Sequence, residues 1–175
     1  VAVCENGNYY NRFYFVHPDG AVQHYDKKHL FTFGGEHKRF TAGTERVVVN
    51  FRGVRILLEV CYDLRFPVWS RNLGDYDMIL YVASWPTPRV DAWSALLRAR
   101  AIENQCYVAG VNRMGTDPTC EYSGGSAIID PYGKTIAECP WSRESAVSAD
   151  IDMEALQAFR KKFPVLDDAD PFTLI

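Results

Sequence analysis

The sequence predicts an α/β fold built as a layered sandwich. Three observations lead there. Short β-branched runs are joined by hairpin turn signals, the clearest being Pro18-Asp19-Gly20. The run MILYVA (78–83) is apolar throughout, as in a strand buried on both faces. AWSALLRARAIENQ (92–105) carries Trp93, Leu96, Leu97 and Ala101 at helical spacing. Hairpins interleaved with helices that follow buried strands argue against an all-parallel doubly wound sheet.

In chain order, the opening VAVCENGNYYNRFYFV is strand material with a turn-like ENGNYY segment. RFYFVH (12–17) and AVQHY (21–25) form a hairpin across the Pro-Asp-Gly turn. Residues 27–43 are charged and irregular, with Gly34-Gly35, and predict an ordered rim loop. RVVVNF (46–51) and VRILLEV (54–60) pair across Arg52-Gly53. A helical stretch is expected from Cys61 to Leu73-Gly74, then the 78–83 strand. SWPTPR (84–89) is a loop because two prolines oppose regular structure, and Asp91 caps the helix that follows. CYVAGVN (106–112) is a strand and 113–125 a polar loop. SAIID (126–130) and KTIAE (134–138) form another hairpin. AVSADI (146–151) reads as a strand. Asp152 caps a last helix that Pro164 ends, and the tail DDADPFTLI is extended. No repeat, low-complexity tract or linker divides residues 1–175, so one domain is expected.

Composition narrows the function. Hydrophobic residues make up 47% and charged residues 23%, a balance that supports a globular core without disulfides. The net charge of −3, with Lys and Arg scattered, argues against nucleic acid or an anionic membrane as partner. The five cysteines lack C-x-x-C spacing, so a zinc site or disulfide framework is not expected and a reducing cytoplasm is. No apolar run is long enough to span a bilayer.

VCYDLRFP (60–67) is the stretch most suggestive of chemistry. A buried free cysteine is usually an inert small hydrophobe. Cys61, however, ends a strand at a sharp turn, the placement that exposes a nucleophile and converges backbone N–H groups on it. A helix N-terminus after it would favour thiolate. A thiol attacking an amide also needs a base and an oxyanion partner. His17, His24, His29 and His37 have no evident carboxylate orienter in the sequence. The rim loop offers a carboxylate and lysine alternative in Lys27, Lys28, Glu36 and Lys38. Glu59 alternates to the face of Cys61, but strand neighbours rarely give proton-transfer geometry. Cys4, Cys106, Cys120 and Cys139 have no ordered turn after them and read as structural.

YDKKHLF (25–31), GGEHKRFTAG (34–43), EVCYDLRFP (59–67) and RARAIENQCYV (98–108) together resemble the nitrilase superfamily of carbon–nitrogen hydrolases. SAIIDPYGK and AVSADID fit its later segments, and the match covers essentially the whole sequence. CYDLRFP and LLRARAIENQCYV look most like the ω-amidase branch, which hydrolyses the side-chain amide of 2-oxoglutaramate and 2-oxosuccinamate.

The resemblance implies a four-layer α-β-β-α sandwich and amide hydrolysis through a thioester, without metal or organic cofactor. It implies Cys61 as nucleophile, Lys27 as catalytic lysine and Glu36 as a second glutamate that orients lysine or substrate. The oxyanion would be held by Lys27 and the Tyr62 N–H. Arg65 would offer its guanidinium to a substrate carboxylate, the alternative being an ion pair with Asp63. Trp85 and Tyr122 would line the pocket, while Trp93 is better placed in the core. A small-molecule amide is the expected partner, and a homodimer the expected assembly.

The family's general base is a glutamate on an early strand, and Glu5 does not match its motif. The sequence is therefore read as the C-terminal two-thirds of the full fold. The rival readings are nitrile or carbamoyl-amide hydrolysis, or a scaffold that keeps the fold without catalysis.

Overall fold

The structure, a computed structural model, describes residues 1–173. Strands β1 (Ala2–Glu5), β2 (Asn8–Val16) and β3 (Val22–Asp26) form an antiparallel three-stranded sheet. β4 (Val48–Phe51) and β5 (Val54–Val60) form the second hairpin. Next come β6 (Met78–Ala83), helix α1 (Val90–Glu103) and β7 (Tyr107–Asn112). β8 (Met114–Thr116) pairs with β9 (Glu121–Ser123), and β10 (Ala127–Ile129) with β11 (Thr135–Glu138). Helix α2 (Met153–Lys162) follows. The larger sheet runs β11-β10-β7-β6-β5-β4, with β5, β6 and β7 parallel and the outer pairs antiparallel.

Strand alternation divides the core in two. Ile56, Leu58 and Val60 face the smaller sheet and pack with Tyr25, Val49 and Trp69. Leu57, Ile79, Tyr81 and Val108 face the other way, onto Trp93, Leu97 and Ala101 of α1. Gly110 lets α1 approach β7, since a Cβ there would lie 2.7 Å from both Leu97 and Trp93 side-chain atoms. Sheet, sheet and α1 make three of the four implied layers among the described residues.

Both early hairpins, the buried strand at 78–83, the helix core face and the Asp152 cap agree with the sequence reading; Asp152 accepts from the Ala155 N–H at 2.8 Å. Other expectations are corrected. Cys61–Arg65 is a single 3-10 turn, not the start of a helix to residue 74. Pro67 disfavours helical backbone at Phe66, and Asp63 bonds back to the Val60 N–H at 3.0 Å. SWPTPR contains a 3-10 turn at Thr87–Arg89, because proline is tolerated in a first turn. α1 starts at Val90 with Arg89 at its cap position, so Asp91 lies in the first turn instead. The 113–125 loop holds the β8–β9 hairpin. Residues 146–151 pair with no strand among the described residues. The tail includes a 3-10 turn at Val165–Asp168, and the extended reading of Leu174 and Ile175 lies outside the described residues.

Candidate active site

The candidate site lies at the carboxyl ends of the parallel strands, where loops gather and ligands commonly bind in such sheets. Cys61 directly follows β5, and Ser84 and Trp85 follow β6. Cys61 adopts φ 49°, a left-handed conformation unfavourable for a side-chain-bearing residue. Such strain concentrates where a fold over-determines a residue's direction. The Cys61 Sγ lies 3.8 Å from the Ser84 carbonyl, a weak donor contact.

Asp63 holds this turn in place. It is fully buried and accepts from Tyr25 Oη–H at 2.9 Å, the His29 backbone N–H at 2.9 Å and the Val60 N–H at 3.0 Å. The His29 ring Nδ1 lies 2.8 Å from the same carboxylate, and the ring stacks on Phe66 at 3.8 Å. His29 thus does have a carboxylate orienter, contrary to the sequence reading. It does not line the cavity at Cys61, so it ties the turn to the rim loop.

That cavity, of about 750 Å³, brings together Cys61, Lys27, Glu36, Arg65, Trp85 and Tyr122. Lys27 is 3% exposed, and its Nζ donates to Glu36 Oε2 at 2.6 Å. Glu36 also accepts from Asn11 Nδ2 at 3.0 Å and the Phe31 N–H at 2.6 Å. Burial works to raise the Glu36 pKa, but these hydrogen bonds from Asn11, Lys27 and Phe31 outweigh it and hold the carboxyl below its usual value. Burial pushes the Cys61 thiol up, with Lys27 acting in the opposite direction. The thiolate-favouring helix N-terminus expected from sequence is replaced by a short turn.

The remaining predicted residues fall as follows. Tyr62 lies in the turn after Cys61, with its ring against Phe31 at 5.0 Å and Phe66 at 5.1 Å, outside the cavity lining. Arg65 stacks over Trp85 at 5.0 Å and does not pair with Asp63. Trp85 donates its indole N–H to the Arg89 carbonyl at 2.6 Å, and Asn112 bonds both its backbone N–H and its carbonyl. Tyr122 Oη–H donates to Asp117 at 2.7 Å. Trp93 is fully buried and donates to the Gly125 carbonyl at 2.8 Å. Glu59 is fully buried outside the cavity, so it does not reach the nucleophile's proton. Sequence reasoning missed Asp63, Asn11, Asn112, Arg89 and the cavity position of Cys120. Of these only Asp63, two residues after Cys61, carried a local signal.

A family model described as carbon-nitrogen hydrolase matches residues 1–161. Over 175 residues the chain is 53% identical to omega-amidase YafV of Escherichia coli strain K12, covering 99% of this chain and 68% of that protein. It is 41% identical over 171 residues to 2-oxoglutaramate amidase of Bacillus subtilis strain 168, covering 96% and 66% respectively. The crystal structure of XC1258 from Xanthomonas campestris superposes with a TM-score of 0.96 at 46% identity, covering 99% of this chain and 69% of that one. XC1258 is described as a CN-hydrolase superfamily protein with an arsenic adduct in its active site. The chain spans about two thirds of the length of these relatives. By these matches the chain belongs to the carbon–nitrogen hydrolase family.

Proposed function

We propose that the protein hydrolyses a small-molecule carboxamide to an acid and ammonia, with an ω-amide of a 2-oxo acid such as 2-oxoglutaramate as substrate. One observation supports this most: the strained Cys61 opens into the same cavity as a buried lysine neutralised by Glu36. A scaffold gains nothing from a thiol, an ammonium and a carboxylate buried around one space. The similarity to YafV and the Bacillus amidase supports the choice of substrate.

In this scheme a carboxylate base takes the Cys61 proton, and sulfur attacks the amide carbon to form a C–S bond. Lys27 and the Tyr62 N–H stabilise the oxyanion. The returned proton lets ammonia leave as the C–N bond breaks, giving a thioester. Water, deprotonated by the same base, then releases the acid. Glu36 is a poor choice for that base, since its oxygens already accept from Asn11, Lys27 and Phe31. Its role here is to hold Lys27 in place and aim it. The resemblance assigns that base to a glutamate on an early strand. Arg65, stacked on Trp85, receives the substrate carboxylate, and Tyr122 closes one wall. The same reading includes one hydrolase unit over residues 1–175 acting as a homodimer in the cytoplasm.

The test is ammonia release from 2-oxoglutaramate by the purified protein and by Cys61→Ala. The expected result is a loss of at least about 10³-fold in kcat/KM, as for removal of a covalent nucleophile. Retained turnover in Cys61→Ala contradicts the scheme. A panel of nitriles and carbamoyl amides separates the rival reactions by product.

A further inference from the structure

The cavity at Cys61 is lined by more cationic than anionic side chains although the whole chain carries a net charge of −3. Its lining includes Arg12, Lys27, Arg65 and Arg89, against Glu36 as the only Asp or Glu among the described residues. Two of these cations are already neutralised. Arg12 pairs with Asp26 at 2.7 Å and Glu5 at 2.9 Å, and Lys27 pairs with Glu36 at 2.6 Å. Arg65 and Arg89 have no carboxylate partner among the described residues.

Both are instead mounted on aromatic rings. Arg65 Cζ sits 5.0 Å from the Trp85 ring centroid, and Arg89 Cζ sits 5.4 Å from that of Phe31. A ring engages the face of a guanidinium and leaves its N–H edge free, and that edge is the part that matches a carboxylate. Stacking also restricts the side chain, so less freedom is lost when a ligand binds.

The two mounts are linked. Trp85, the platform of Arg65, donates its indole N–H to the Arg89 carbonyl at 2.6 Å. Phe31, the platform of Arg89, donates its backbone N–H at 2.6 Å to Glu36, the partner of Lys27. One frame therefore fixes both free guanidinium groups relative to the lysine beside the thiol.

We propose that Arg89 is a specificity-determining residue, which acts with Arg65 as a two-guanidinium receptor for the carboxylate at the substrate end remote from the scissile amide. This rests on the amide-hydrolysis reading of Cys61. Arg89 selects amides bearing a free carboxylate over neutral amides of similar length.

The test compares 2-oxoglutaramate with butyramide in two measurements. In the first, the ratio of their kcat/KM values is determined for the unsubstituted protein, Arg89→Gln and Arg89→Lys. The ratio is expected to fall about tenfold or more in Arg89→Gln, the scale of one charged hydrogen bond, with partial recovery in Arg89→Lys. An equal loss on both substrates, or no loss, overturns the proposal. The second measurement is calorimetric binding of 2-oxoglutaramate to Cys61→Ala with and without Arg89→Gln, which needs no turnover. Weaker binding in the double variant supports the receptor, and equal binding, or none in either, overturns it. Failure of the hydrolysis reading shows separately, as turnover that survives in Cys61→Ala.

Discussion

At the amino-terminal end of the parallel strands, Asp77 is surrounded by partners. It accepts from Arg55 Nε at 2.9 Å, Arg55 Nη2 at 2.8 Å and Arg160 Nη1 at 2.8 Å. Burial works to raise its pKa, but the two arginines outweigh that and hold it below the usual value. Arg160 also donates to the Gln105 and Tyr76 carbonyls, which docks α2 beneath the sheet. At the carboxyl end the pattern reverses. There a thiol sits on left-handed backbone, and two guanidinium groups rest on rings with no carboxylate partner among the described residues. One end uses its charges on the fold. The other places cations around an open cavity.

Breaking the first end should cost stability alone. Asp77→Ala removes a buried carboxylate and leaves two arginine groups without it, and is expected to lower unfolding free energy by roughly 3 kcal/mol. Chemical denaturation measures this. The kcat/KM of the protein that remains folded should not change, since Asp77 lies at the opposite end from Cys61. A parallel loss of activity would show that the two ends are not separable.

Glu59 sharpens the comparison through its dependence on pH. It lies within β5, with Ser70 Oγ–H donating to Oε2 at 2.9 Å and Oε1 unpartnered. Burial, followed by the charge of Asp63, lifts its pKa above the usual carboxylate range. The folded protein therefore keeps a proton that the unfolded chain releases from about pH 4.5 upward. This group's contribution to stability falls as pH rises from there toward its folded pKa. Glu59→Gln removes that slope, so the variant should gain on the unsubstituted protein between about pH 5 and about pH 8. Parallel denaturation curves across that range would mean Glu59 is ionised in the fold.

What the sequence revealed depended on how local the cause was. Lys27, Glu36 and Cys61 stand in compact motifs, so the family resemblance those motifs carry led to the expectation that the three share one cavity. The hairpins were legible because Pro-Asp-Gly and Arg-Gly turns are local chemistry. The turn after Cys61 was misread as a helix because the side-chain bond from Asp63 to Val60 competes with the helical ladder, and periodicity does not report it. β8 and β9 escaped notice because three-residue strands are too short to show alternation. AVSADI has strand composition but pairs with no strand among the described residues, and composition does not report pairing. Arg89 was invisible as a site residue. In sequence it is an arginine after Pro-Thr-Pro, and only the approach of the rim loop puts Phe31 beneath it.

The central claim is that Cys61 carries the acyl group. The most direct measurement is rapid acid quenching of the protein during turnover of 2-oxoglutaramate, followed by mass mapping of its cysteine peptides. The account predicts a hydroxylamine-labile acyl adduct on the peptide containing Cys61, and none on those containing Cys4, Cys106, Cys120 or Cys139. An adduct on another cysteine, or steady turnover with no adduct on Cys61, would contradict it.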